Sequence, residues 1–484
     1  VSPRTPETFW SFTHALPFIS RRAAHPPLGL LTVAALLPED WELRLADMNA
    51  RPLSEGDLDW ADVVFLSAMI VQEDSAREVA RRCARRGLTL LAGGPLFTTG
   101  HERFPEIEHF VLGEAEEILS TVVDDLRRGK LQPLYRAEDF PDVNLSPVPR
   151  WDLLRLGDYA TMSVQYSRGC PHDCEFCDVV VMNGHRPRTK EPHALVAELE
   201  ALRVAGWRGG VFVVDDNFIG NRRKVKTLLR EIIAWRRRTR ARMDFITEAT
   251  VLLAEDPELM ELMSRAGFKK VFLGLETPDP ESLRECRKYQ NTRRDLAESV
   301  RTIQRAGLEV MGGFIVGFDS DKQDVFSNQF RFIQESGVVT AMVGLLTALP
   351  RTRLHQRLAR EGRLLNVSTG NNTQAVCNFV TRLDADFLQE GYRRLMQRLY
   401  EPGAYYARAR TFLKHYRRRG PRPALGGSDF AALLRSLWVQ GFRQRGRRAY
   451  WGFLGGTLLR HPHAFSVAVT LAIYGHHFRT VARQ

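Results

Sequence analysis

The sequence predicts an α/β protein with three parts: an N-terminal doubly wound domain, a central partial (β/α)6 barrel and a C-terminal helical extension. Short apolar runs alternate with helical patterns over residues 1–130, and the same alternation returns after residue 160. Helical periodicity alone continues from about residue 384. A chain of 484 residues suffices for about three domains. The predicted limits are 1–130, 131–159 for a linker, 160–375 and 376–484.

In the first 130 residues, strand-like and helix-like segments alternate. Val1 to Arg4 resemble the end of a first strand, so we expect the start of that strand to be missing. Further strands are predicted at residues 42–46, 62–67, 88–92 and 109–112, and helices at residues 28–37, 73–86 and 116–128. Alternation of this kind predicts a parallel sheet with helices on both faces, which binds a ligand beyond the carboxyl ends of its strands.

Those carboxyl ends carry polar and glycine-rich sequences. Adjacent Gly93 and Gly94 allow the backbone to approach a bulky ligand closely. The dinucleotide-binding sequence G-x-G-x-x-G is not present. Residues 131–159 follow, rich in proline and polar residues, and predict a connection that crosses the surface.

Six strands are predicted in the central part, each but the last followed by a helical pattern. They lie at residues 162–166, 210–215, 243–247, 270–274, 310–316 and 341–347. Six βα units form a partial barrel, and barrel chemistry takes place at the carboxyl ends of the strands.

Three cysteines, Cys170, Cys174 and Cys177, follow the first of these strands with the spacing C-x3-C-x2-C. Thiolates are ligands of iron–sulfur clusters, and three of them leave one iron of a four-iron cubane open. A zinc site or three buried thiols are the alternatives, but zinc needs a fourth ligand and His172 is poorly spaced to provide it. Cys83, Cys286 and Cys377 are scattered, which indicates a reducing cytoplasm rather than a disulfide framework.

With Phe176 directly before Cys177, this stretch resembles the signature C-x3-C-x-aromatic-C of the radical S-adenosylmethionine (SAM) superfamily. The resemblance implies a [4Fe–4S] cluster on the three cysteines, SAM chelated at the open iron and Phe176 beside it. An external electron donor of flavodoxin or ferredoxin type is then also expected.

Acidic side chains follow the barrel strands, where they would suit the ammonium group and ribose hydroxyls of SAM. By resemblance, Asp215 and Asp216 hold the amino group and Glu276 contacts the ribose. Ile315 and Leu349 would frame the adenine. The alternative is that these carboxylates are solvated loop residues, and for Glu248 the sequence favours neither interpretation.

The N-terminal strand ends resemble the cobalamin-binding domain fused to many radical SAM enzymes. The resemblance implies cobalamin contacts from Asp47, Asn49, Ser67, Gly93, Gly94, Pro95 and Glu114. Cobalamin domains with the sequence D-x-H-x-x-G ligate cobalt through the histidine, but Asn49 stands at that position here. Cobalt would then lack a histidine ligand from the protein. The alternative is a doubly wound domain that binds nothing or another nucleotide.

The C-terminal extension carries nearly all of the net charge of +12. Residues 401–484 contain 15 Lys and Arg against 2 Asp and Glu, so the other residues are nearly neutral. Residues 419–423 predict a break, and helices rich in arginine and aromatic residues follow. They would pack as a solvated face on the barrel, contact a membrane surface or bind nucleic acid. For membrane contact, the inserting side chains would be Trp438, Phe442, Tyr450, Trp451 and Phe453.

This order of parts resembles cobalamin-binding radical SAM proteins with the C-terminal extension of the hopanoid methylase type. The resemblance implies a C-methyltransferase acting on an unactivated carbon of a lipid-like or other secondary-metabolite substrate. A cobalamin-dependent oxidative cyclase or oxygenase is the alternative. An RNA methylthiotransferase would carry cluster cysteines in its N-terminal domain, where only Cys83 is found, so we do not expect a nucleic-acid partner. No apolar run reaches the roughly 18 residues of a membrane span, so we expect a cytoplasmic enzyme, peripheral at the inner membrane face if the tail binds lipid.

Overall fold

Two parallel sheets and a C-terminal helical region make up the computed structural model, which describes residues 1–371, 373–421 and 426–483. The predicted α/β class is confirmed. Arg422 and Pro423 of the predicted break lie outside the described residues.

The N-terminal sheet contains four parallel strands in the order β1-β2-β3-β4. Val63–Ser67 (β1), Thr89–Gly93 (β2) and His109–Leu112 (β3) were all predicted, whereas Leu134–Arg136 (β4) lies in the predicted linker. Its alternation buries Tyr135 and leaves the two neighbouring residues exposed, a pattern too short to recognise in the sequence. The helices of this part are α1 Leu28–Leu36, α2 Glu55–Trp60, α3 Glu73–Ala84, α4 Pro95–Gly100 and α5 Leu119–Arg127.

The strand predicted at residues 42–46 does not form. Asp47 makes only an isolated parallel bridge with Ser2, because the neighbouring segment is a few residues long. Val1 in turn lies beside β1, where its carbonyl accepts a hydrogen bond of 3.2 Å from the Ser67 backbone N–H. The chain near Ser2 therefore occupies a strand position between Asp47 and β1, and the order reverses there as in a doubly wound sheet.

The central sheet has the six predicted strands, all parallel, in the order β12-β11-β10-β9-β8-β5. They are β5 Thr161–Val164, β8 Gly210–Val213, β9 Phe245–Ala249, β10 Phe268–Glu276, β11 Glu309–Val316 and β12 Ala341–Leu345. A two-residue antiparallel ribbon of β6 (Ser167–Arg168) and β7 (Arg188–Thr189) brackets the cysteine stretch.

Helices follow the strands, and the longer ones bury apolar side chains in the same core as the sheet. They are α6 Val179–Asn183, which has no buried side chain, α7 Pro192–Val204, α8 Arg222–Thr239, α9 Pro257–Ala266, α10 Pro280–Glu285, α11 Leu296–Arg305, α12 Val325–Ser336 and α13 Arg353–Arg360. The last strand is therefore also followed by a helix, which was not predicted.

The inner face of the sheet carries half-buried apolar side chains: Phe212, Ile246, Phe272, Ile315 and Met342. Because helices bury the outer face, partly exposed positions on central strands lie on the inner one.

The C-terminal region is helical, as predicted, and is packed onto the barrel. Its helices are α14 Ala385–Tyr400, α15 Pro402–His415, α16 Gly427–Ser436, α17 Arg447–Arg460 and α18 Phe465–Val481, and a π-helix spans Leu437–Arg443. Buried Arg408 donates to the carbonyl of Val339 at 3.1 Å, and the Tyr400 hydroxyl donates to the Ala341 carbonyl at the start of β12. Side chains of the tail thus satisfy polar groups at the edge of the barrel sheet.

An N-terminal segment, residues 9–20, lies between the barrel and the tail. Phe9 stacks on Phe478 of α18 with ring centroids 4.1 Å apart, and Trp10 packs edge-on against Phe272 at 5.2 Å. Arg435 of α16 donates to the Phe18 carbonyl at 2.8 Å. Over the ranges that the structure describes, no helix is both long and apolar enough to cross a membrane.

Candidate functional site

The cysteine stretch forms a tightly folded loop between β6 and α6. Gly169 has φ +93°, and a Cβ there would lie 2.8–2.9 Å from the carbonyl oxygens of Asn183, Gly184 and Arg186. The Cys170 N–H donates to the Gly184 carbonyl at 3.2 Å. Only glycine fits this left-handed, crowded position, so the residue before Cys170 sets the path of the loop.

Two adjacent carboxylates at the end of β8 hold the loop from below. Asp216 accepts hydrogen bonds from the Gly169 N–H at 2.8 Å and the Asn183 side chain at 2.9 Å. Asp215 accepts from the Tyr166 N–H at 2.7 Å and from the Ser167 hydroxyl at 2.6 Å. Burial raises the pKa of Asp215 to about 7.

The two carboxylates differ in burial. Asp215 is only 1 % exposed, and each of its oxygens accepts a hydrogen bond within the chain. Asp215 therefore supports the loop, and its contact with the SAM amino group stays a prediction. Asp216 is less buried and keeps one oxygen without a hydrogen bond to the loop, so it stays a predicted contact.

Side-chain amides lie beside two of the three thiols, those of Cys170 and Cys174. The Asn217 amide lies 3.8 Å from Cys170 Sγ, and the Gln290 amide lies 3.6 Å from Cys174 Sγ. Burial raises the pKa of the Cys170 and Cys177 thiols, so ligation of iron must release their protons. A cavity of about 380 Å³ opens onto Cys174 and Cys177. Neither amide was predicted, because Asn217 and Gln290 are distant from the cysteines along the chain and belong to no sequence motif with them.

The donor set fits a cubane better than a single ion. Three thiols from one loop, amide donors to two of them and an adjoining cavity match a cluster held by three cysteines. Among the described residues, no group of three or more His, Cys, Asp or Glu side chains is arranged to hold one metal ion. A cubane spreads its ligands over separate irons, so its thiolates need not converge on one point.

Lys288 brings a buried cation to the same site. Its ammonium lies 2.5 Å from Glu276 Oε1 and 5.8 Å from the centroid of the Phe176 ring. Burial lowers the pKa of Lys288, but the negative charge of Glu276 outweighs this effect and the pKa is raised overall. Lys288 therefore stays protonated, and its charge favours an anionic group beside the cysteine thiols.

The other predicted SAM residues lie around this cation. Glu276 ends β10 at φ +60°, a left-handed conformation that is strained for a residue with a side chain. Phe176 and Ile315 belong to one apolar cluster with Phe318, and half-buried Leu349 follows β12. Glu276, Phe176, Ile315 and Leu349 stay predicted contacts for SAM.

The carboxyl ends of the N-terminal strands form an open edge. Ser67 pairs with Gly93, and a Cβ on Gly93 would lie 2.9 Å from the Val111 carbonyl of the next strand. At Gly94, with φ +90°, a Cβ would lie 2.7 Å from the Ser67 hydroxyl. At Gly113, by contrast, with φ +81°, a Cβ would meet no atom within 4 Å. The edge is thus kept free of side chains, which fits the close approach of a large, flat macrocycle. Pro95 begins α4 directly after this edge.

Three predicted cobalamin contacts have other partners. The Asn49 side chain donates to the Pro3 carbonyl at 3.1 Å and accepts from the Thr5 N–H at 2.8 Å. Asp47 is buried and accepts from Asn49 and from the Tyr159 hydroxyl. Both therefore tie the N-terminal residues to the sheet, and their contacts with cobalamin stay predictions.

Glu114, the third of these predicted contacts, has two charged partners within the chain. Its side chain is 8 % exposed and its carboxylate bridges Arg168 and Arg188 of the β6–β7 ribbon. Arg168 also donates to Glu116 Oε1 at 2.6 Å, and Glu116 accepts from the Ser146 hydroxyl at 2.7 Å. This group of Glu114, Glu116, Arg168 and Arg188, here called the interdomain clamp, joins the open edge of one sheet to the cysteine loop of the other.

Fold and site together define a radical SAM enzyme with a cobalamin-binding domain, and two of three matching family models agree. Residues 17–123 match the B12 binding domain, residues 164–333 match the radical SAM superfamily, and residues 352–484 match a domain of unknown function, DUF4070. The chain belongs to the family of radical SAM enzymes with a cobalamin-binding domain. Its cofactors are a [4Fe–4S] cluster, SAM and cobalamin, as predicted.

Similar proteins include two of nearly full length. An uncharacterized methyltransferase of Synechocystis sp. is 42 % identical over 100 % of this chain and 92 % of its own. The hopanoid C-2 methylase of Rhodopseudomonas palustris is 34 % identical over 100 % of this chain and 93 % of its own. The predicted class of enzyme, a cobalamin-dependent radical SAM methyltransferase, is thereby confirmed.

Solved structures show the same fold. The radical SAM methyltransferase TsrM of Kitasatospora setae, with cobalamin and a [4Fe–4S] cluster bound, matches with a TM-score of 0.62 and 16 % identity over 95 % of this chain and 97 % of its own. The cobalamin-dependent radical enzyme OxsB, with aqua-cobalamin and SAM bound, matches with a TM-score of 0.63 and 13 % identity over 95 % of this chain and 77 % of its own.

Proposed function

We propose that the chain methylates an unactivated carbon of a polycyclic triterpenoid lipid of the hopanoid type. The bound cofactors supply hydrogen-atom abstraction from carbon and a methyl donor. The hopanoid C-2 methylase of R. palustris supports this substrate class, and so does the hopanoid C-3 methylase of Methylococcus capsulatus, 28 % identical over 57 % of this chain and 50 % of its own.

The apolar inner face of the barrel is the observation that carries the proposal. Half-buried Phe212, Ile246, Phe272 and Met342 line the inner face of four strands, and Trp10 adds a further aromatic ring. A surface of this kind suits a hydrocarbon skeleton and excludes water from the reacting carbon. A mainly hydrocarbon substrate is favoured, because a strongly polar one would lose its hydration there and find few hydrogen-bond partners besides Glu248.

The polar residues of the site have distinct proposed roles. Asp215 and Asp216 keep the cysteine loop in place, and Lys288 balances negative charge next to the thiols. Glu248, half-buried at the end of β9, is proposed to face a hydroxyl or ammonium group of the bound molecules. Burial and the neighbouring Asp216 and Asp215 raise the pKa of Glu248 to about 7.

Product mass tests the proposal. Anaerobically reconstituted protein is supplied with cobalamin, SAM, a one-electron donor of flavodoxin type and an unmethylated hopanoid. We expect a product heavier by one methylene unit, formed together with 5′-deoxyadenosine, and neither compound from the variant Cys174→Ala. A variant that still forms 5′-deoxyadenosine would mean that the cysteine assignment is wrong.

A second candidate is an oxidative reaction on a ring substrate. The anaerobic magnesium-protoporphyrin IX monomethyl ester cyclase of Cereibacter sphaeroides is 22 % identical over 83 % of this chain and 69 % of its own. A product that has lost hydrogen or gained oxygen, without an added methyl group, would favour this candidate over methylation.

A further inference from the structure

A row of exposed apolar side chains runs along the tail of the protein. Phe430, Leu434, Trp438 and Phe442 follow one another every four residues, through α16 and the π-helix. They are 63 %, 50 %, 60 % and 60 % exposed, respectively. Residues four apart share one side of a helix, so these four form a single stripe.

A second stripe on α17 continues the first. Trp451, Leu458 and Leu459 are exposed and lie seven and eight residues apart, again on one side of the helix. The Trp451 ring lies 6.0 Å from the Phe442 ring, which lies 6.1 Å from Trp438. Trp451 Nε1 donates to the Gly441 carbonyl at 3.0 Å, which fixes the two stripes together. The seven exposed residues of the two stripes, which meet at Phe442 and Trp451, are here called the aromatic patch.

The exposed side of α17 is separate from the side that packs in the core. Tyr450 and Phe453 of α17 are buried, and Phe453 stacks on Tyr406 of α15 at 4.9 Å. The helix thus has a separate, filled core side. This corrects the expectation that Tyr450 and Phe453 insert into a membrane, since neither side chain reaches the surface.

Arginines border the patch without acidic partners. Arg443, Arg445, Arg447 and Arg448 are exposed and surround the turn between the π-helix and α17. None of the four forms an ion pair within the described ranges. Residues 402–484 contain a single acidic residue, Asp429, whose carboxylate accepts from the Gly426 N–H at the start of α16. The surface around the patch is therefore strongly positive.

We propose that the aromatic patch and its four arginines dock the protein onto the anionic surface of a lipid bilayer. Aromatic side chains insert at the level of the headgroups, and arginines beside them pair with anionic lipids. Exposed aromatic side chains beside arginines that are unpaired in the described ranges suit a bilayer, which offers an apolar interior directly below anionic headgroups. The inference goes beyond the proposed reaction, since it stands on surface residues that the substrate face of the barrel does not contain.

The tail cannot be removed to test this, because α18 covers Phe9 and Tyr405 of the core. Point variants of the full chain are therefore compared by flotation with vesicles of phosphatidylcholine, with and without phosphatidylglycerol. The double variant Trp438→Ser/Phe442→Ser should bind at least tenfold less to the anionic vesicles. Arg447→Gln/Arg448→Gln should bind roughly 20- to 30-fold less, since each arginine near the surface contributes about a fivefold factor.

Matched controls lie on the barrel. Val204→Ser alters an apolar side chain that is 71 % exposed on α7, and Arg237→Gln/Arg238→Gln alters two adjacent exposed arginines on α8. Both controls should bind like the wild type, and high salt should release all the bound forms.

Three results would overturn the proposal. One is equal binding of the patch variants and the controls to anionic vesicles, and another is wild-type binding that does not depend on phosphatidylglycerol. The third is a wild-type dimer in sedimentation that the Trp438→Ser/Phe442→Ser variant abolishes without any vesicle binding, which would assign the patch to a second copy of the chain. Hopanoid methylation in detergent, measured separately, tests the proposed function alone.

Discussion

At the scale of single residues, the carboxylates Glu276 and Glu248 at the carboxyl ends of the barrel strands differ in their distance from the buried cation Lys288. Lys288 is paired with Glu276, whereas burial and the carboxylates of Asp216 and Asp215 raise the pKa of Glu248 more than Lys288 lowers it. The motif around Cys170 could be read from the sequence, because its ligands are adjacent along the chain. Lys288, Asn217 and Gln290 could not, because only the barrel fold brings them to the thiols.

Glu248 should make the stability of the cofactor-free protein depend on pH. Its pKa rises from an ordinary 4.5 to about 7 on folding, mainly through burial. Between these values the folded protein holds a proton that the unfolded chain has lost, so the contribution is complete below about pH 4.5 and declines as the pH rises toward 7. We expect Glu248→Gln to flatten this part of the profile in urea unfolding. An unchanged slope between pH 4.5 and 7 would contradict the raised pKa.

Cobalt should carry no protein histidine. Asn49 stands at the position of the histidine ligand and its side chain is bound to Pro3 and Thr5. The paramagnetic resonance spectrum of bound cob(II)alamin should therefore lack nitrogen splitting from the imidazole of a protein histidine. Asn49→Ala should leave that spectrum unchanged. Splitting from a protein imidazole would show that another side chain ligates the metal.

At the scale of elements, apolar runs predicted the main strands because a buried parallel strand needs a nearly continuous apolar sequence. The prediction was wrong at residues 42–46, where the only neighbour is the short segment around Ser2. It also missed Leu134–Arg136, since three residues at a sheet edge carry too little pattern. The partners of the carboxyl-end residues within the chain were not predicted: Asp215 accepts a hydrogen bond from Ser167, and Glu114 pairs with Arg168.

The turn after β2 should be decisive for cobalamin uptake. Gly94→Ala places a methyl group 2.7 Å from the Ser67 hydroxyl at φ +90°, so the turn must move. A left-handed conformation costs roughly 1–2 kcal/mol for alanine, before the steric clash is added. We expect at least a tenfold weaker affinity for cobalamin, measured by absorbance titration, with normal iron content. Gly129→Ala, in a surface turn at φ +65° with open space, is the control and should bind cobalamin normally.

At the scale of the whole molecule, the two sheets are joined through the interdomain clamp directly before the first cysteine. Buried ion pairs contribute little net stability, but removal of one partner leaves an uncompensated charge. We therefore expect the clamp to fix the position of the cysteine loop relative to the open edge. This sets the distance between the predicted sites of the cluster and of cobalamin.

Glu114→Gln should make the position of the cysteine loop relative to the open edge of the N-terminal sheet less fixed. Arg188 loses its carboxylate and Arg168 keeps only Glu116, which costs about 3–5 kcal/mol for a broken buried pair. We expect a broader distance distribution between the reduced cluster and cob(II)alamin in pulsed paramagnetic resonance, and more 5′-deoxyadenosine per methylated product. Exposed Glu117 offers the control Glu117→Gln. If both variants match the wild type in both measurements, the clamp has no positioning role.

The contact of residues 9–20 with the tail has a consequence for how the protein is made. Phe9 stacks on Phe478, and its carbonyl pairs with the ring of His477, 468 residues further along the chain. At a synthesis rate of about 5–20 residues per second, this contact waits roughly 25–90 s after Phe9 has left the ribosome. Until then Phe9 and Trp10 lack part of their native cover, so the nascent chain presents an aromatic segment that a chaperone can bind. Packing of residues 9–20 is therefore completed only after α18 has been synthesised.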